Sequence, residues 1–129
     1  MAAALPERFT QRMKETVACA VEHVHAGGIP FTALVVDARG VVLGRGVNRV
    51  REHCDPTAHA EVEAIRDACR TAGTPSLRGL TLLALGEPCA MCYLSALYAG
   101  ISRVLFAVAR NEAAAHGFDY RGTYSLLSS

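Results

Sequence analysis

The chain has 129 residues, a formal net charge of +1, 51% hydrophobic residues and 19% charged ones. That length and balance point to one globular domain over 1–129 with a real buried core, and exclude a disordered chain. Thirteen basic residues against twelve acidic ones leave no excess to neutralise a phosphate backbone, so nucleic acid is not an expected partner. No apolar run approaches the roughly 20 residues of a membrane span. The opening MAAALPERFTQRMKE meets charge and proline too early for a secretory signal, so the expected location is the cytoplasm.

In chain order, residues 6–26 carry Phe9, Met13, Val17, Ala20, Val21 and Val24 at helical spacing, and the pattern stops at Gly27-Gly28. FTALVVD (31–37) is a short apolar run that reads as a strand, and the ARG turn at 38–40 leads into VVLGRGV (41–47), completing a hairpin. Arg45, Arg49 and Arg51 fall close together, as a solvated rim would. A helix is expected from the start of DPTAHAEVEAI (55–65) to about Arg70, with Asp55 or Thr57 as its N-cap and His59 in its first turn. TAGTPSLRG (71–79) is a loop, LTLLAL (80–85) a buried strand, AMCYLSALYAG (90–100) a helix closed by Gly100, and RVLFAV (103–108) a strand. Asn111 to Ala115 could form a short helix before the tail. The strand–helix alternation predicts an α/β sandwich with parallel neighbours, to which the hairpin adds an antiparallel edge.

Two short stretches carry chemistry. His59 and Glu61 lie two residues apart at a helix start. In GEPCAMC (86–92), Cys89 and Cys92 are three apart, so on a helix both thiols face one way. Pro88 suits the first helical position, and a helix N-terminus favours thiolate. Alone, the CxxC pair reads equally as a redox couple, a structural zinc half-site or two buried cysteines. Five cysteines, odd in number and mostly isolated, make no disulfide framework, and Cys19 and Cys69 are expected to be small buried hydrophobes. Taken together, His59, Cys89 and Cys92 supply three protein ligands. That is the count of a catalytic Zn2+ site with its fourth position open, and Glu61 stands beside it as a base. Residues two apart point to different helix faces, so the metal would have to sit across the helix end.

His59-Ala60-Glu61 followed by Pro88-Cys89-Ala90-Met91-Cys92 is similar to the signature of the zinc deaminases. Over nearly its full length the chain resembles the cytidine deaminase-like superfamily, in the group of guanine, cytosine and tRNA adenosine deaminases. DPTAHAEVEAIRDAC resembles the guanine and tRNA branches, and NEAAAHGFDYRGTY (111–124) resembles the guanine branch. The resemblance implies a three-layer α/β/α fold around a five-stranded mixed sheet, assembled as a homodimer. It also implies substrate contacts from Asn48, Phe31, Ala58, Asp119 and Tyr120. Two features depart from the guanine branch: Leu85-Gly86 stand where Thr or Ser is common, and a C-terminal lid segment is expected to be missing or reduced. The expected function is zinc-dependent hydrolysis of a small-molecule nucleobase or amino-heterocycle, guanine first. Cytosine or an amino-s-triazine follows, then wobble adenosine in tRNA. A catalytically inert zinc-binding member is a rival from another class, against which the intact Glu61 argues.

Overall fold

The computed structural model describes residues 5–125, and the order of elements follows from how each stretch can bury its apolar side. Helix α1 (Glu7–His25) presents Phe9, Thr16 and Ala20 inward, with Met13 packed beside them. Val17, Val21 and Val24 belong to the same helical pattern but stay exposed, so the buried stripe is narrower than the sequence implies. The Thr32 hydroxyl donates to the Thr16 carbonyl at 2.6 Å and ties α1 to the sheet. Cys19 is likewise exposed and Cys69 half-buried, where the sequence suggested two buried thiols. A cysteine in an amphipathic helix takes whichever face its register assigns.

Strands β1 (Thr32–Val36) and β2 (Val42–Val47) form the expected hairpin, with a bulge between Val35 and Val36. In the turn, the Asp37 carboxylate accepts from the backbone N–H groups of Arg39 (2.8 Å) and Val41 (2.9 Å). Next come the short helix α2 (Val50–His53), which the sequence did not announce, and α3 (Ala60–Ala72). They are followed by β3 (Thr81–Gly86), α4 (Ala90–Ala99) and β4 (Arg103–Val108), and the chain continues through α5 (Arg110–Ala115) and α6 (Gly122–Ser125).

The sheet order is β2-β1-β3-β4, with β3 and β4 parallel and β1 antiparallel to both its neighbours. This corrects the expected run of parallel neighbours. Strands β2, β3 and β4 do point the same way, but β1 inserts between β2 and β3, so the crossover through α3 steps over it. A central strand is covered on both faces, which is why β1 is buried at every position and reads as an unbroken apolar run. The described residues contain four strands rather than the five expected. After Val108 the chain turns into the Ala-rich α5, which has no strand alternation.

Three layers result. Phe9, Leu34, Val36 and Leu83 fill the α1 side of the sheet. Ala33, Val35 and Leu82 point the other way, into Ala60, Ala64, Ile65 and Ala68 of α3 and Ala96 and Ala99 of α4. Helix α3 lies directly against β2 because Gly44 and Gly46 have no side chains there. A Cβ on Gly46 would collide with the Ala60 carbonyl and lie 2.5 Å from the Ala64 nitrogen. One on Gly44 would sit 2.6 Å from the Ala68 nitrogen. This close approach fixes the start of α3 over the carboxyl end of β2.

Candidate functional site: a metal centre at two helix starts

His59 and Cys89 occupy equivalent places. Each is an N-cap residue with extended backbone (φ −69°, ψ 154° for His59; φ −71°, ψ 172° for Cys89), and neither caps its helix with its side chain. The expected caps, Asp55 and Thr57, belong instead to the preceding turn: the Asp55 carboxylate accepts from the Thr57 N–H at 2.9 Å and hydroxyl at 2.7 Å. Pro88 lies before the cap of α4, not at its first helical position, which is Ala90. Because His59 is outside the helix, the face problem disappears. Its ring leaves from the extended residue, and Glu61 comes from the first turn.

The His59 Nδ1 atom lies 3.6 Å from the Cys89 sulfur and 3.5 Å from the Cys92 sulfur, and the two sulfurs are 3.6 Å apart. A tetrahedral ion with Zn–S near 2.3 Å and Zn–N near 2.0–2.1 Å separates its donors by roughly 3.5–3.8 Å. The three donors, all within 4.8 Å of one another, therefore already stand at the corners that one Zn2+ requires. Both cysteines are buried and His59 is half-buried. Contact with Cys92 and His59 pulls the Cys89 thiol well below its ordinary value, while contact with Cys89 and burial push Cys92 up. The His59 imidazole is raised by its contact with Cys89. The chemistry of this donor set fits zinc.

Glu61 is 7% exposed, and burial raises its carboxyl above the usual carboxylate range. It faces a cavity of about 290 Å³ whose lining includes Phe31, Asn48, His59, Glu61, Asp119 and Tyr120. The cavity opens at the carboxyl ends of β2 and β3, where parallel strands commonly leave room for a ligand. Buried Asn48 accepts the Val50 N–H on Oδ1 at 3.1 Å, leaving its amide NH2 without a protein partner among the described residues. Phe31 meets Phe118 and Tyr120 edge-on, with ring centroids at 5.2 and 6.3 Å. Gly86 allows this packing, since a Cβ there would come within 2.9 Å of the Phe31 ring.

Asp119 lines the cavity but is engaged by the Arg121 guanidinium at 2.9 and 2.8 Å and by the Arg121 backbone N–H at 3.1 Å, which hold its carboxyl down at about 2. The Tyr120 ring packs against Val62, Cys89 and Cys92, and its hydroxyl is buried with no partner among the described residues. Ala58 is the exception. It is fully buried beneath the site, its carbonyl accepting the Arg49 N–H at 2.9 Å, and it does not line the cavity.

Sequence reasoning missed Ile29, Arg51, Glu87 and Phe118, which complete the lining. Glu87, adjacent to Pro88-Cys89, and Phe118, inside the NEAAAHGFDYRGTY stretch, carried a signal, while Arg51 was read only as part of a solvated rim. The Glu87 carboxylate accepts the Arg110 N–H at 2.9 Å and lies 3.8 Å from the Arg110 guanidinium.

Residues 6–108 match the family described as the cytidine and deoxycytidylate deaminase zinc-binding region. The chain belongs to this family. Guanine deaminase of Bacillus subtilis is 42% identical over 108 residues, covering 83% of this chain and 69% of that protein. An X-ray structure of B. subtilis guanine deaminase is similar with a TM-score of 0.85 at 39% identity, covering 91% of this chain and 74% of that one. The tRNA(Ile)-lysidine synthase of Deinococcus radiodurans is 40% identical over 105 residues, which are 81% of this chain but 18% of that protein. The tRNA-specific adenosine deaminase of Aquifex aeolicus is 40% identical over 80 residues, 62% of this chain and 52% of that protein. The chain thus spans from 18% to 69% of these curated relatives' lengths. The fold is the α/β fold of the deaminases, and Zn2+ fits both the family and the donor set.

Proposed function

We propose that this family member hydrolyses a free nucleobase, guanine to xanthine and ammonia, with Zn2+ held by His59, Cys89 and Cys92. The supporting observation is the small cavity directly over Glu61. At about 290 Å³ it stands at the low end of ligand pockets, which run from about 300 to 1,000 Å³. Its apolar walls suit one flat heterocycle rather than a base carried on a folded RNA.

When bound, the metal supplies the Lewis acidity that lets water act as nucleophile near neutral pH. Glu61 holds and moves the protons. Its raised carboxyl takes one from the attacking water and delivers it to a ring nitrogen, then takes the second from the hydroxyl now on the carbon and passes it to the amine, which departs as ammonia as the C=O bond forms. The free NH2 of Asn48 donates to an acceptor on the base. Phe31, supported edge-on by Phe118 and Tyr120, lines the slot and excludes water. Cytosine or an amino-s-triazine offers the same amine on a flat ring and is the second reading. The tRNA-specific adenosine deaminases among the relatives make wobble adenosine the third.

A cytoplasmic homodimer belongs to this reading. Helix α4 exposes Leu94, Leu97 and Tyr98, an apolar surface available to a second copy, and sedimentation of the full chain tests it.

The deciding experiment measures ammonia release by zinc-loaded protein from guanine, cytosine and amino-s-triazines, beside inosine formation in a tRNA anticodon stem-loop. Guanine should turn over fastest, with little change between low and moderate salt, because no phosphate contacts are involved. Inosine in the stem-loop with no ammonia from any free base would overturn the reading.

A further inference from the structure

The start of α4 lacks a cap of its own. The first N–H groups of a helix need acceptors, and the N-cap side chain normally supplies one. Here the N-cap is Cys89, whose sulfur is turned to His59 and Cys92 and makes no capping bond. The acceptor comes from far along the chain: the Thr123 hydroxyl accepts the Ala90 N–H at 3.1 Å and donates to the Tyr120 carbonyl at 2.8 Å. From the next residue, the Tyr124 hydroxyl donates to the Pro88 carbonyl. Tyr124 is held in turn by the Arg110 guanidinium, 4.2 Å above its ring, and Arg110 also engages Glu87. Residues 87, 88 and 90, which surround Cys89, are thus each gripped by the segment 110–124.

We propose that Thr123 and Tyr124 are positioning residues for the metal, holding the Pro88–Cys89–Ala90 turn so that the Cys89 sulfur keeps its place among the three donors. Neither side chain is one of the three donors or lines the cavity. Both act through the backbone on either side of one ligand, whichever base the enzyme takes. Thr123 also ties the turn to Tyr120, so one hydroxyl joins the segment that lines the cavity to the turn that holds the metal.

The test reads the metal site and not turnover. In full-length protein, Thr123→Val keeps the shape of the side chain and removes both hydrogen bonds. Release of zinc to a chelator should quicken by about 10-fold, within the range seen when groups that orient ligands are removed. In cobalt-substituted protein, the thiolate charge-transfer absorption should weaken or shift. Thr123→Ser restores the hydroxyl and should return both readings to those of the unaltered chain. Tyr124→Phe removes the second bond and should quicken release to a lesser degree, which keeps the question open to test even if Thr123→Val fails to fold. Release rates and cobalt spectra in Thr123→Val and Tyr124→Phe matching the unaltered protein would overturn the proposal, even with lowered thermal stability. So would a Thr123→Ser protein as impaired as Thr123→Val.

Discussion

The turn that ends in His59 and the turn that ends in Cys89 each bring a metal donor to the start of a helix, but different parts of the chain hold them. Around His59 the support is local: Asp55 closes a turn on Thr57, the Ala58 carbonyl takes the Arg49 N–H, and Gly44 and Gly46 seat α3 on β2. Around Cys89 the support is distant, from Arg110, Thr123 and Tyr124, with a separation of 33 residues for the Thr123 bond. One half of the centre is built into the sheet's own layer. The other takes its hydrogen bonds from residues 110–124, which fold back over it.

The largest expected effect removes a donor outright. Cys89→Ala or Cys92→Ala should fall from about one zinc per chain to almost none on metal analysis, since thiolates contribute much of the affinity. Breaking the local half needs no change to any ligand. Gly46→Ala drives a methyl into the Ala60 carbonyl, and denaturant unfolding should show a loss at or above the ~1–3 kcal/mol typical of overpacking. Within the pocket, Asn48→Ala should cost turnover of the base about 1–3 kcal/mol, or roughly 5- to 150-fold in kcat/KM, by deleting a buried hydrogen bond.

The smallest effect sharpens the account of the His59 turn. Hydrogen bonds from the Thr57 hydroxyl and backbone lower the Asp55 carboxyl below its ordinary value. A carboxyl lowered by folding stabilises the protein above its unfolded pKa of about 4, and that contribution fades as pH falls through the folded value. Asp55→Asn should therefore lower the unfolding midpoint slightly at neutral pH and not at all in strong acid. Equal effects at both would mean the charge plays no part.

Much of the fold was legible because its strands are apolar runs, whether buried throughout like β1 or left half-exposed like β4. LVV in β1 and RVLFAV in β4 could be read as strands directly. The placing of β1 between β2 and β3 could not, because strand order depends on which edges meet and not on any one strand's pattern. The spacing of His59, Glu61, Cys89 and Cys92 suggested a shared centre, yet both helix caps were misassigned. Cap preferences rest on a side chain bonding its own helix, and at His59 and Cys89 that side chain is turned to its fellow donors. Thr123 and Tyr124 close the NEAAAHGFDYRGTY stretch, but that resemblance pointed to the substrate and not to the metal turn. Nothing in their own neighbourhood shows that they meet Ala90 and Pro88.

Proton transfer by Glu61 is tested most directly by zinc-loaded Glu61→Gln, assayed for ammonia release from guanine beside its zinc content. Removing a general base typically costs about 10²–10⁴-fold. The variant should hold as much zinc as the unaltered chain, unfold at a similar temperature, and release ammonia at least about 100-fold more slowly. Full zinc together with more than about a tenth of the original rate would contradict it, because another group would then be carrying the protons.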